Sequence, residues 1–171
     1  MSGVEYADID DIFAAAEAKG EPPFIVALDG ITDPQNLGAI VRSAECMGAH
    51  GVIIPKRRSA GMNAAACKTA CGAEEHIAIA KVVNLPRALD ELKERGVWVA
   101  AADMGGEAPA KLNLKGALCI VIGSEGEGVS RLVAEKADMI VGIPMKGKVS
   151  SLNASAAAAI LFYEKLRQDN A

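Results

Sequence analysis

The chain has 171 residues, 51% of them hydrophobic but only 4% aromatic, and a formal net charge of −4. That length suffices for one domain with a proper core, here one of Ala, Val, Ile and Leu. No apolar run approaches the roughly 20 residues of a membrane span. The N-terminus lacks the charged-then-apolar pattern of a signal peptide, and the negative balance argues mildly against a general nucleic-acid binder, whose affinity is largely phosphate neutralisation.

Residues 1–21 are acidic, with one amphipathic turn around Ile9, Ile12 and Phe13, and Pro22-Pro23 ends them. They read as a linker or appended arm, and residues 22–171 as the domain. "FIVALDG" from Phe24 is a buried strand. "DPQNLGAIVRSAECMG" is a helix with Asp33 as cap, Pro34 at its first position and Gly48 at its end. "GVIIP" is a strand, "MNAAACKTACG" a short helix, "HIAIAKV" a strand. "NLPRALDELKERG" is a helix capped by Asn84, supported by a Glu91–Arg95 pair and stopped by Gly96. "VWVAAADM" and "ALCIVIGS" are strands, "GVSRLVAEKA" a helix and "MIVGIPM" a strand. The last helix shows Leu152, Ala156, Ala159 or Ile160, Tyr163 and Leu166 at helical spacing, with Ser150 and Ser151 as candidate caps. Such alternation predicts an α/β fold with a mostly parallel sheet flanked by helices. Ligands of such sheets bind off the carboxyl ends of the strands.

Cysteines 46, 67, 71 and 119 form no Cys-x-x-Cys pair and read as small buried thiols of a reducing cytosol. With only His50 and His76 beside them, no metal site is expected. Lys56-Arg57-Arg58 and Lys146 with Lys148 are basic clusters within this acidic chain.

Three loops at strand ends carry the chemistry. The first is "LDGITDPQNLGAIVRSA". Asn36 lies in the first helical turn, and Gly38 and Arg42 share a face. Taken alone, Arg42 also reads as a surface arginine pairing with Glu45. The second, "VIGSEGEGVS", has glycines at 123, 126 and 128 but matches neither G-x-G-x-x-G nor a Walker loop. Its two glutamates suit a neutral or cationic ligand better than a phosphate. The third, "IPMKGKVSSLN", is a tight loop leading into the last helix, whose N-terminus is a natural seat for an anion or a carboxylate. It should lie beside the second loop if their strands are neighbours. No Ser-His-Asp set and no glycosidase carboxylate pair is visible. The residues suit positioning a phosphate and a neutral ligand, with little covalent chemistry by the protein.

"DPQNLGAIVRSAECMGAHGVI", "IVIGSEGEGVS" and "IPMKGKVSSLNASAAAAILFYE" resemble, in order and spacing, the three motifs of the SpoU (TrmH-like) family of the SPOUT superfamily. The likeness covers Phe24 to about Arg167. "PKRRSAGMNAAACKTACGAEEHI" is also similar to the branch of 23S ribosomal RNA guanosine 2′-O-methyltransferases. The resemblance implies a C-terminal trefoil knot, a homodimer, S-adenosylmethionine as cofactor, and methyl transfer to a ribose 2′-hydroxyl of structured RNA in the cytoplasm. It places Ala102, Gly123, Ile143, Met145 and Leu152 at cofactor-contact positions. It makes Arg42 the catalytic arginine, with Asn36, Glu125, Ser151 and Asn153 as its neighbours. Lys56, Arg57, Arg58, Lys146 and Lys148 are candidate RNA contacts.

Two roles stay open for Arg42. As a general base it must give up a proton despite a free pKa of roughly 12.5–13.8. As a positioning group it would leave the proton to a phosphate held by Ser151, or to water. Many relatives carry a small N-terminal RNA-binding domain, so the chain is expected to be a catalytic domain without it. The competing functions are a transfer-RNA ribose or base-nitrogen methyltransferase of the same superfamily, and a non-catalytic module that holds cofactor and RNA. A doubly wound nucleotide binder is the residual alternative.

Overall fold

The computed structural model of the protein describes residues 4–171. Its strands are β1 (Phe24–Asp29), β2 (Gly51–Pro55), β3 (Ala78–Val82), β4 (Trp98–Glu107), β5 (Leu118–Gly123) and β6 (Met139–Val141). Its helices are α1 (Ile9–Ala18), α2 (Pro34–Cys46), α3 (Ala64–Ala70), α4 (Leu85–Glu94), α5 (Arg131–Lys136) and α6 (Ala154–Asp169). The strands form one sheet in the order β3-β2-β1-β5-β4-β6, and every pairing is parallel.

Successive strand residues point to opposite faces, and helices cover both. On one side Val26, Leu28, Val52, Ile120 and Ile122 pack with Leu37 and Ile40 of α2 and Ala158, Leu161 and Phe162 of α6. On the other, Ile25, Ala27, Ile53 and Val121 pack with Ile12 of α1, Leu89 and Leu92 of α4, and Val133 of α5. This double cover is why the central strands read as unbroken apolar runs.

The segment read as a linker or arm holds a helix that belongs to the core. Asp8 and Asp11 close a reciprocal capping box at the start of α1. Ile12 is fully buried against Gly51, where no Cβ would fit. Ala7 N–H donates to the Ile79 carbonyl (2.8 Å), so the arm also covers the β3 edge. His50, buried at the start of β2, ties down the following prolines. Its Nδ1 accepts from Phe24 N–H (2.9 Å), which leaves Nε2 to donate to Glu21 (2.8 Å).

Three further expectations need correction. β5 and β6 are not neighbours, because β4 lies between them. The cap of α6 is Asn153, whose side chain accepts from Ser155 N–H and Ala156 N–H; Ser150 and Ser151 precede it. The face of α6 that packs inward carries Ala154, Ala158, Leu161, Phe162, Lys165 and Gln168, while Leu152, Ile160 and Tyr163 are exposed. An alanine-rich helix gives apolar periodicity little contrast, and contacts with other elements decide which face turns in. Phe162 stacks edge-on against Phe24 at 5.8 Å between ring centroids. Lys165 is drawn inside by the carbonyls of Leu114 and Gly116, each 2.8 Å from its Nζ.

Candidate active site

Because all six strands are parallel, their carboxyl ends share one edge, and the three loops singled out in the sequence gather there. The loop after β6 crosses the end of β4 to reach the loop after β5, so the two meet although their strands do not pair. Asn153 is the junction. Its Nδ2 donates to Glu125 Oε1 (2.8 Å) and to Asn36 Oδ1 (3.1 Å). Its Oδ1 accepts from Ser155 and Ala156 at the start of α6. With both ends of the amide engaged, its orientation is fixed by the network. The Ala154 N–H also points at Glu125 Oε1 (3.4 Å). The N-terminus of α6 therefore seats a carboxylate, as its free donors favour, and that carboxylate comes from the glycine-rich loop.

Beside this network runs an open cleft. Ala102, Gly123, Ile143, Met145 and Leu152 all line it, together with Ser151. Glycine is required in its wall: Gly123 lies against the backbone of Gly128 too closely for a Cβ, and Gly126 and Gly128 hold φ of +80° and +70°. Gly128 and Ser150 line the cleft too, as does Asp103, which was not singled out in the sequence. Asp103 was within reach of sequence reasoning, since it stands at the carboxyl end of "VWVAAADM".

Arg42 stands apart from the Asn36–Glu125–Asn153 network. It is exposed on α2, and its Nη1 lies 3.4 Å from the Cys71 sulfur; no ion pair joins it to Glu45 among the described residues. Gly38, one turn earlier, admits α3: a Cβ there would strike the Ala66 carbonyl. Lys56, Arg57 and Arg58 follow β2 on the same edge of the sheet, and Lys146 and Lys148 lie in the loop after β6. All five are exposed. Among the described residues no group of three or more His, Cys, Asp or Glu side chains is placed to hold a metal ion.

The cleft's walls are apolar side chains and glycine backbone. Its one ionisable lining residue is a carboxylate, and no lysine or arginine faces it. A polyphosphate would find no counter-charge there, whereas a flat, largely apolar ligand of positive charge would. Fold and site thus define a class, an α/β domain with a largely apolar cleft beside a polar network at the carboxyl edge of its sheet. The SpoU rRNA methylase family model matches residues 23–163. The chain belongs to that family.

It is 49% identical to the TrmH family protein YacO of Bacillus subtilis over 172 residues, 99% of this chain and 69% of YacO. It is 49% identical to the 23S rRNA (guanosine-2′-O-)-methyltransferase RlmB of Neisseria meningitidis, over 89% of this chain and 61% of that protein. Among solved structures, the SpoU methyltransferase AviRb of Streptomyces viridochromogenes, in complex with the cofactor AdoMet, superposes with a TM-score of 0.85 at 28% identity. That match covers 96% of this chain and 65% of AviRb. The chain thus spans roughly two thirds of the length of these proteins.

Proposed function

We propose that the chain is the catalytic domain of an S-adenosylmethionine-dependent RNA methyltransferase acting on a ribose 2′-hydroxyl, with a guanosine of 23S ribosomal RNA as the target. One observation carries the reading. The Asn36–Glu125–Asn153 network lies against a cleft lined by Ala102, Gly123, Ile143, Met145 and Leu152. Those five would hold the cofactor, largely by apolar contact and backbone groups. S-adenosylmethionine supplies an electrophilic methyl group on a sulfonium sulfur.

The protein's own task is to align the ribose hydroxyl and receive one proton. Glu125 and Asn36 fix Asn153. Ser151, on the cleft wall, would hold an RNA phosphate. Arg42 then serves as base or as positioning group at the ribose. Lys56, Arg57, Arg58, Lys146 and Lys148 would meet phosphates along the same edge.

A homodimer belongs to the proposal. The exposed face of α6 with Ile160 and Tyr163 is an apolar patch suited to a second copy. So does the trefoil knot. After β6, at the edge of the sheet, the chain crosses to its middle, and α6 packs against β1 and β5. The four thiols are free, and against the expectation of buried cysteines only Cys119 is buried, while Cys46 and Cys71 are exposed; free thiols accord with a cytoplasmic enzyme.

Calorimetric titration with S-adenosylmethionine, S-adenosylhomocysteine and ATP tests the reading. Saturation near one site per chain by the first two, and none by ATP, is expected; the reverse would make the domain a nucleotide binder. Methylation of ribosomal RNA fragments, with the product located on ribose or base, then separates the target from transfer RNA and from base nitrogens. Arg42→Ala should lower turnover by about 100-fold or more while leaving cofactor affinity within a factor of about two. An equal loss of both would remove Arg42 from the chemistry.

A further inference from the structure

We infer that Asp103 reads the positive charge of the cofactor, so that the cleft favours the sulfonium methyl donor over its neutral thioether product. The inference rests on the cofactor reading above and goes beyond it, since it assigns a selective role to a residue outside the three motifs.

Asp103 owes its place to an irregularity in the sheet. β4 pairs with β6 through Ala102, opposite Val141, then leaves the ladder and rejoins it at Glu107, again opposite Val141. Asp103 is the first residue of that excursion. The carboxylate turns back on its own backbone, where Oδ1 accepts from Met104 N–H at 2.8 Å. Gly128 packs directly against the carboxylate: a Cβ there would lie 3.0 Å from the same oxygen.

Two other carboxylates on this edge hold loops in place. Glu125 takes Asn153 Nδ2 at 2.8 Å, and Asp29 takes Ser130 N–H at 2.6 Å. Among the described residues, Asp103 accepts only from the N–H of its own chain neighbour, Met104. It makes no ion pair among the described residues, and it is the sole ionisable side chain lining the cleft. A half-buried negative charge with no cation beside it favours a ligand that brings one, and in such a site the attraction is larger than in open water. S-adenosylmethionine brings a sulfonium that S-adenosylhomocysteine lacks. The two share every other group, so the carboxylate acts on their difference. It also disfavours anionic nucleotides, which matches the missing lysine and arginine.

The experiment is calorimetric titration of the wild-type chain, Asp103→Asn and Asp103→Glu with S-adenosylmethionine and S-adenosylhomocysteine, each variant's thermal midpoint being measured alongside. Asp103→Asn keeps the shape and removes the charge. It should weaken S-adenosylmethionine about tenfold or more and S-adenosylhomocysteine less than about threefold. Asp103→Glu should retain the preference for the cationic ligand. Equal weakening of both ligands by Asp103→Asn would place the residue on a part they share and overturn the inference while leaving the cofactor reading intact. So would no weakening of either. A folded wild-type chain that binds neither ligand would overturn both together.

Discussion

At the C-terminal end of α6, Lys165 is 1% exposed and gives its amine to the Leu114 carbonyl, the Gly116 carbonyl and Asp169, each at 2.8 Å. Gln168 beside it accepts from Leu114 N–H and donates to the carbonyls of Pro109 and Leu112. At the N-terminal end of the same 16-residue helix, Asn153, Asn36 and Glu125 form a network of similar size. Asn153 and Glu125 are exposed and Asn36 is half-buried. Both ends use polar side chains to join distant loops. The buried end satisfies backbone groups and clamps the β4–β5 connection, which is a contribution to stability. The open end aims its groups along a cleft, where water is replaced by whatever binds. Burial, more than residue type, separates the structural network from the one suited to chemistry.

That contrast is broken most sharply at the open end. Asn153→Ala should reduce methyl transfer by roughly 100-fold or more, as loss of a preorganised donor does. It should lower stability by only about 1 kcal/mol, the usual price of a lost helix cap. Single-turnover kinetics beside urea unfolding reads both quantities. A fall in stability with unchanged turnover would make the two ends alike.

Lys165→Met should do the opposite. It strands two buried carbonyls, each worth about 1–3 kcal/mol when unpaired, and the urea midpoint should drop accordingly. Cofactor affinity of the folded protein should hold. Burial already pulls the Lys165 pKa down, with Asp169 pulling it back. The charged form is thus the one the fold tolerates less, and the stability of the wild-type chain should rise as pH climbs through the depressed value toward the ordinary lysine value of 10.5.

The smallest effect is expected at Glu164. Hydrogen bonds from Arg167, then Gln168, hold its carboxyl down to about 2 from 4.5. Its contribution is complete above the unfolded value and fades as pH falls toward 2. The stability gap between wild type and Glu164→Gln should therefore be present at pH 6 and close at low pH. A gap that stays constant would show that the carboxylate's charge plays no part.

Much of this molecule was legible beforehand. The caps Asp33 and Asn84 are where the helix signals put them. The parallel, doubly covered sheet follows from strands that are apolar throughout. The residues placed by resemblance at cofactor positions do share one cleft. Other features were hidden for identifiable reasons. The acidic arm read as a linker because of its charge and the two prolines that end it, yet Ile12 and Ala16 are buried and Ile12 packs onto Gly51. The inward face of α6 was misread because the side chain that most suggests solvent, Lys165, finds its partners in a loop about fifty residues away.

By itself, then, the sequence determined the order and kind of elements, through periodicity and capping, and the three loops that end strands. Those are local properties, written within a few turns of chain. Only the tertiary structure decided that β4 separates β5 from β6, that Asn153 and not the serines caps α6, that Arg42 faces Cys71, and that Asp103 stands alone in the cleft. Each depends on which distant groups can satisfy one another once water is excluded, and that pairing is a property of the folded whole.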